Sequence, residues 1–381
     1  MLPVIQYTGA EGVLDLGWGH PDPTLLPVEA WAESTSEAIR AAGWTALTYG
    51  YANGPGPLIE WLTVHIGAID GRAPSPDELF VTAGASQGLE LVSTVLTRPG
   101  DVVLVDSPTY HLALRILTDR GVELRAAPTD AQGIDPAATA RLVGDLRAAG
   151  RRVPMLYTVA TFNNPSGASM PVPRRRELVD ALDGVTIVED DTYRELAYDG
   201  PAPPSLWSLA SAGVVRLGSF AKTIAPGLRL GYLSAEAGFV RRLAGRGYVD
   251  SGGCVNHTSA MALAQFATTG RYEAHVSALR EAYRLRRDAL VGALRAAAPG
   301  VEFTVPAGGW FLWLGVPDAA AVARRALERG VGMSTGERFH VDGGGTRHLR
   351  VSFSMYGPTD LEEAAHRFGG SLKIGADQVR P

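Results

Sequence analysis

The chain is poor in the residues that would tie it to a metal, a disulfide, a membrane or a nucleic acid. Cys254 is its one cysteine, which excludes intramolecular disulfides and cysteine metal clusters. The eight histidines are scattered, with no H-x-x-x-H spacing, so no histidine zinc site is expected. The net charge is −5 and no basic block interrupts it. Neither nucleic acid nor an anionic membrane surface is therefore an expected partner. The N-terminus, MLPVIQYTGAEG, has no charged region followed by a long apolar run, and nowhere do about 18 apolar residues stand together. The expected location is the cytoplasm. No G-x-x-x-x-G-K-[ST] occurs, which removes a phosphate-loop nucleotide binder. Internal repeats and low-complexity tracts are absent.

What remains is an ordinary globular composition: 381 residues, 46% hydrophobic and 20% charged, with 45 Gly and 25 Pro. That length suits one large domain and a smaller one. Short apolar runs alternate with helical patterns from about residue 55 to 280. The runs are Leu79–Thr82, Val102–Val105, Val122–Ala126, Met155–Val159, Val185–Val188, Val214–Leu217 and Leu228–Leu233. Helical stretches between them include Gln87–Leu96, Thr109–Arg120, Pro136–Ala149 and Arg174–Leu182. The alternation predicts an α/β fold with a doubly wound, mostly parallel sheet. Its strands are continuous rather than alternating, as expected when both faces are covered. A long amphipathic helix over Tyr272–Ala298, stopped by Pro299-Gly300, leads into a compact α+β pattern. That pattern has strands at Val301–Val305, Trp310–Leu314 and His348–Phe353, and helices at Ala319–Arg329 and from Thr359. The expected division is an N-terminal arm with part of the small domain (1–45), a large domain (46–280) and a small C-terminal domain (281–381). The last dozen residues read as a loose tail.

Ligands of open α/β sheets sit at the carboxyl ends of strands, and those ends carry the chemistry here. After Val214–Leu217 comes S-F-A-K-T-I-A-P-G-L-R-L-G. A lysine beyond a buried strand is partly desolvated, which lowers its pKa and frees a nucleophilic amine. Such amines form Schiff bases with aldehydes. Ser219 and Arg229 frame Lys222 as donors to a phosphate. An isolated S-x-x-K would be an ordinary surface lysine. After Leu79–Thr82, Gly84-Ala85-Ser86-Gln87-Gly88 opens a helix whose free N–H groups suit a phosphate, although many strand–helix turns are rich in Gly and Ser. After Val102–Val105 stands Tyr110, able to stack on a flat ring or simply half-buried. After Met155–Val159 comes N-N-P-S-G with Asn164, which on its own is a turn. After Val185–Val188 comes Glu189-Asp190-Asp191. Three acids at a buried strand end are costly without a cationic partner, unless the loop is solvated. Near the C-terminus, Arg350 lies inside an apolar strand and needs an anion, either an internal carboxylate or a ligand.

Taken together in this order, the motifs resemble the class I/II aminotransferases, the fold-type I enzymes that use pyridoxal 5′-phosphate (PLP). The nearest subgroup looks like the aminotransferases of aminoadipate, kynurenine and similar substrates. The resemblance spans about Leu16 to Phe353, with the lysine motif the most specific. It implies that Lys222 carries PLP as a Schiff base and that Asp190 pairs with the protonated pyridine nitrogen. Tyr193 and Asn164 would bond the ring's phenolate oxygen, and Tyr110 would cover one ring face. Ala85, Ser86, Ser219 and Arg229 would hold the phosphate, joined by Tyr49 of a neighbouring subunit in a homodimer. Arg350 and Asn164 would grip the substrate carboxylate. Gly19 and Trp18 belong to an arm that closes over the substrate. Two positions depart from the pattern. Ala85 stands where a serine often does, which removes one side-chain donor, and Trp18 stands where a small residue is usual. His20 beside it reads as a loop histidine facing water.

The implied reaction moves an α-amino group between an amino acid and a 2-keto acid, its small-molecule partners, with Lys222 as general base. The same electron sink serves elimination, γ-replacement, decarboxylation and oxidative deamination. A non-catalytic PLP-binding regulatory module is a further alternative. The residues leave the substrate side chain open.

Overall fold

The computed structural model describes residues 4–6, 9–130 and 132–372. Seven strands build its main sheet: β1 Leu79–Thr82, β2 Val102–Val105, β3 Glu123–Ala126, β4 Met155–Thr158, β5 Thr186–Asp190, β6 Val214–Ser219 and β7 Gly231–Ser234. Their order is β1-β7-β6-β5-β4-β2-β3. β7 runs antiparallel to both neighbours, and every other pairing is parallel. The sheet is thus mostly parallel, and β1, β2, β4 and β7 are buried along their whole length. The pleat explains why the strands are apolar throughout. Val102 and Leu104 enter one hydrophobic core, while Val103 and Val105 enter the other on the opposite face.

The helices start where the sequence offers local caps. Asp135 accepts from the amide of Ala138 at 2.9 Å, with Pro136 in the first turn of Pro136–Ala148. The helix Arg271–Ala297 leaves the large sheet and packs on the last helix, Pro358–Leu372. These two and a three-stranded antiparallel sheet share a further core, which includes Leu290, Leu294, Leu312, Val351 and Phe368. The small sheet consists of β8 Phe311–Gly315, β9 Ser334–Thr335 and β10 His348–Ser352, with β10 central.

Several elements differ from the sequence expectation. Val301–Val305 is not a strand, and Glu302 makes only one bridge, to Gly315. β7 begins at Gly231 rather than Leu228, because Pro226 opens a 3-10 turn and Arg229 takes a left-handed conformation with φ 49. The N-terminal arm splits. Leu14–Asp15 pairs in parallel with Val331–Gly332 beside the small sheet. The helix Val28–Ala42 packs instead on the helix His257–Thr268, where Trp31 meets Phe266 at 6.1 Å. The last helix runs on to Leu372, and the rest of the expected tail lies outside the described residues.

Candidate active site

The carboxyl ends of β1, β2, β4, β5 and β6 open into one cavity of about 1130 Å³. The arm around Gly17–Pro21 and the small sheet form its other wall. Of the residues singled out from sequence, Trp18, Gly19, Ala85, Ser86, Tyr110, Asn164, Asp190, Tyr193, Ser219, Lys222, Arg229 and Arg350 all line it. Tyr49 does not, and it is 81% exposed.

Lys222 follows the end of β6 by three residues. Its Nζ donates to the Gly19 carbonyl at 3.4 Å and stands 4.5 Å from the centre of the Trp310 ring. Burial pushes the amine down to about 8, helped by the charges of Arg350 and Arg229 and opposed by Asp190. An amine in that range is a usable base and nucleophile near neutral pH. The lysine is also one of only two in the chain, the other being Lys373.

The three acids at the end of β5 separate by the pleat. Glu189 turns to Arg175 at 3.4 Å, and Asp191 to Arg194 and to Arg216, the latter at 2.8 Å. Asp190 points the other way, into the cavity. Its carboxylate accepts only from neutral donors: Tyr157 OH at 2.9 Å, and the Thr192 hydroxyl and amide at 2.5 and 3.3 Å. Burial raises its carboxyl above the ordinary range, despite those hydrogen bonds. A buried carboxylate with no cationic partner among the described residues, facing a cavity, suits a cationic ring nitrogen.

After β1, Gly84 turns the chain with φ 90 into the helix Ala85–Leu96. That φ favours glycine, and the Arg229 guanidinium lies close against the helix start, with Nη2 2.9 Å from where a Cβ on Gly84 would stand. Arg229 is exposed, and its guanidinium donates to the backbone carbonyls of Ala83 and Pro226. The Ser219 hydroxyl accepts from the Ala221 amide at 3.2 Å. Free amides at a helix start, two serines and a guanidinium form a donor set that fits a phosphate. Tyr110 precedes the helix His111–Thr118, and burial pushes its hydroxyl up to about 12. Tyr193 is 5% exposed, edge-on to Trp310 at 5.7 Å, and its hydroxyl is raised by burial.

Arg350 lies mid-way along β10, buried. Nη1 donates to Asn164 Oδ1 at 2.8 Å and Nη2 to the Gly17 carbonyl at 2.5 Å. The guanidinium stands 4.3 Å from the Phe311 ring centre and 4.7 Å from that of Phe339. Among the described residues no carboxylate takes it. Its Nε is buried without a hydrogen-bond partner among the described residues, and burial lowers the group to about 10. A cation held flat by aromatic rings and a neutral amide is suited to a ligand carboxylate.

The arm corrects one expectation. His20 is not a free surface histidine but half-buried: it lines the cavity, its ring tilted 5.5 Å from that of Trp18. Its backbone carbonyl accepts from Ser354 Oγ at 2.5 Å. Burial and the Lys222 charge lower its imidazole. Gly19 is required beside it, since a Cβ there would meet Phe311 Cζ at 2.8 Å.

Sequence reasoning missed Tyr157, Trp310, Phe339, His111, Arg115 and Arg338. Tyr157 could have been found, because a tyrosine inside an otherwise aliphatic buried strand needs a hydrogen-bond partner. Arg115 and Arg338 line the cavity. Phe339 holds their elements together: its carbonyl accepts from the Thr109 amide at 2.8 Å, and its ring meets His111 at 5.1 Å. Burial pushes His111 down to about 4, with Arg350, Arg338 and Arg115 adding to the shift.

The family model described as aminotransferase class I and II matches residues 11–368. Aromatic-amino-acid aminotransferase 1 of Thermococcus litoralis is 32% identical, covering 97% of this chain and 90% of that protein. The 2-aminoadipate transaminase of Thermus thermophilus is 31% identical, covering 97% and 92%. Among solved structures, the kynurenine aminotransferase of Pyrococcus horikoshii in complex with PMP superposes with a TM-score of 0.89 at 29% identity, covering 98% of this chain and 93% of that one.

Proposed function

This chain belongs to the class I and II aminotransferase family, a PLP-dependent transferase that moves an amino group between an amino acid and a 2-keto acid, and on that premise we propose which of its residues do the work. Bound pyridoxal 5′-phosphate supplies an aldehyde and a cationic ring that draws electrons from the carbon being deprotonated. Lys222 is the amine that would hold the aldehyde. Once the substrate's amino group displaces it, its Nζ would be free to take the α-proton of the amino acid and to give it up at the carbon that bore the aldehyde. Asp190 would keep a proton on the ring nitrogen, and Tyr193 and Asn164 would bond the ring oxygen. Tyr110 would cover one ring face. The Ala85 amide, Ser86, Ser219 and Arg229 would hold the phosphate. Arg350 would fix the substrate carboxylate with Asn164, while Gly19 and Trp18 close the site against water.

The observation that carries this reading is that the Lys222 amine and the Asp190 carboxylate, which has no cationic partner among the described residues, face one cavity from the ends of neighbouring strands. The test is borohydride reduction of the purified protein followed by peptide mapping, with a screen of amino donors against keto acids. A label on Lys222 and keto-acid-dependent transfer are expected. A label confined to Lys373, or none, would overturn the assignment.

The substrate side chain follows from the charge of the wall. The cavity is lined by Arg115, Arg229, Arg324, Arg338 and Arg350 against two carboxylates, Asp15 and Asp190, in a chain of net charge −5. Arg229 and Arg350 would be matched by a phosphate and an α-carboxylate. Arg115 and Arg338 make no side-chain hydrogen bond or ion pair with a described residue. We therefore assign substrates whose side chain ends in a second carboxylate.

A homodimer belongs to the same reading. Trp44, Leu47, Tyr49 and Tyr51 are 76%, 66%, 81% and 74% exposed within one short segment, an apolar face suited to a second copy that would receive Tyr49. Sedimentation should give twice the chain mass. Among the described residues no helix is long and apolar enough to cross a membrane, and a cytoplasmic location is part of the proposal. So is the division at 1–45, 46–280 and 281–381, supported by the strand Leu14–Asp15 beside the small sheet but not by the helix Val28–Ala42.

A further inference from the structure

A buried polar chain lies behind the cavity and touches none of it. His65 Nε2 meets Glu195 Oε2 at 2.9 Å. The other oxygen, Oε1, accepts from Tyr272 OH at 2.7 Å. The same phenol oxygen lies 3.0 Å from Thr223 Oγ1. A phenol has one proton, and a carboxylate can only accept. The Tyr272 proton therefore goes to Glu195, and Thr223 donates to the phenol oxygen. Glu195 is fixed at a second point, where its backbone carbonyl accepts from Arg280 Nε at 2.6 Å. Burial alone would raise its carboxyl, but the charge and hydrogen bond of His65, with Tyr272, hold it below the ordinary range. The acceptor end of the chain is thus a stable anion.

The two ends of this chain matter because of what precedes them. Glu195 follows Asp190 and Tyr193 in one segment. Thr223 directly follows Lys222. The Tyr272 ring also packs edge-on to Phe220 at 6.0 Å and to Trp61 at 5.0 Å, and Phe220 lies two residues before Lys222. The lysine turn is therefore gripped on both sides by one residue: through Phe220 by the ring and through Thr223 by the hydroxyl. Tyr272 and Thr223 are 0% and 1% exposed, so water does not compete for these bonds.

We infer that Tyr272 is a positioning residue whose hydroxyl clasps the Lys222 turn to the segment bearing Asp190, setting where the amine stands and how far it is withdrawn from water. This rests on the aminotransferase reading for its consequence in turnover, but not for its effect on the amine. Without the clasp the turn loosens, the ammonium is better solvated, and its proton affinity climbs toward that of a free lysine.

The test replaces Tyr272→Phe, which keeps the ring and removes the hydroxyl, and independently Thr223→Val, which keeps the shape and removes the donor. Thr223→Ser restores the donor. The first readout is the rate of Lys222 acetylation by acetic anhydride against pH, in the full chain freed of cofactor. Both deletions should raise the midpoint by about half a pH unit or more, roughly a threefold loss of free amine at neutral pH. Thr223→Ser should stay at the wild-type midpoint. The double variant should be no worse than either single one, since both remove the same link. In the holoenzyme kcat should fall about tenfold, with KM for the amino donor little changed. Unchanged midpoints in both deletions, or a lowered Tm with an unmoved midpoint, would overturn the clasp. Failure of wild-type transamination would instead sink the functional reading, and leaves the acetylation result to stand by itself.

Discussion

Arg350 Nη1 and Asn164 Oδ1 lie 2.8 Å apart, and this contact joins the middle of the small sheet to the loop after β4 of the large one. It holds a guanidinium in place with a neutral partner, so the positive charge is not spent inside the protein. Arg350→Lys keeps the charge but loses the planar fork and the stack on Phe311 and Phe339. We expect kcat/KM to fall by about two orders of magnitude, roughly 2.7 kcal/mol, for every amino donor alike. The absorbance of bound cofactor should persist. Steady-state kinetics across several donors checks this, and a loss confined to one donor would contradict a role at the common carboxylate.

The depressed proton affinity of Lys222 carries a stability cost in the cofactor-free chain. The amine sits at about 8 in the folded state, against 10.5 for the ordinary group. Between those values the unfolded chain binds more protons, so stability contributed at this position rises with pH across that window. Below pH 8 the folded state bears the full penalty of a buried ammonium. Lys222→Met should abolish turnover, yet at pH 7 it should stabilise the cofactor-free protein by about 1–3 kcal/mol. The gain should shrink toward zero as pH approaches 10.5. Denaturant unfolding of both proteins at a series of pH values measures it, and a gain independent of pH would point to packing instead.

Asp190 makes a different demand. Its carboxyl is raised by burial, and its donors, Tyr157 and Thr192, are neutral. Asp190→Asn should fold normally, because the amide oxygen still accepts from Thr192 and the amide N–H can donate to the Tyr157 hydroxyl oxygen. It cannot keep a proton on a ring nitrogen, so turnover should drop by several orders of magnitude. Tyr157→Phe removes one donor only, and a loss of about tenfold is expected, one charge-assisted hydrogen bond. Single-turnover kinetics with reconstituted cofactor would compare them. Turnover within about twofold of wild type in Asp190→Asn would remove the ring-nitrogen role.

These residues were unequally visible in the sequence. Lys222, Asp190 and Asn164 stand at strand ends or in turns, where the local motif reports both conformation and chemistry. The strand positions followed from apolar runs buried on both faces. What the motifs did not carry depends on alternation or on distant pairing. Glu189 and Asp191 looked equivalent to Asp190 until the pleat sent them to arginines on the far face. Tyr157 lies inside a strand, where no turn marks it. His20 is brought to the cavity by long-range contacts, the pairing of Leu14–Asp15 with Val331–Gly332 and the bond from Ser354 to its carbonyl, that no local motif reports. Val301–Val305 has a strand composition but no partner strand along most of its length, and composition alone cannot supply one.

The cationic wall yields the most specific expectation about substrate. Arg115 is one helical turn beyond His111, and Arg338 directly precedes Phe339, whose ring touches both His111 and the Arg350 guanidinium. The two arginines therefore flank the same imidazole at the cavity wall. His111 is pushed down to about 4 and so stays neutral at neutral pH, leaving the arginines as the charges that a substrate side chain would meet. Both are exposed, so each contact to a carboxylate is worth only about 1 kcal/mol. Arg338→Gln should raise KM about fivefold for donors with a side-chain carboxylate, and Arg115→Gln should act in the same sense. Donors with neutral side chains should keep their KM, and added salt should erode only the acidic-donor preference. Equal changes for acidic and neutral donors would mean that these arginines shape the wall without reading the side chain.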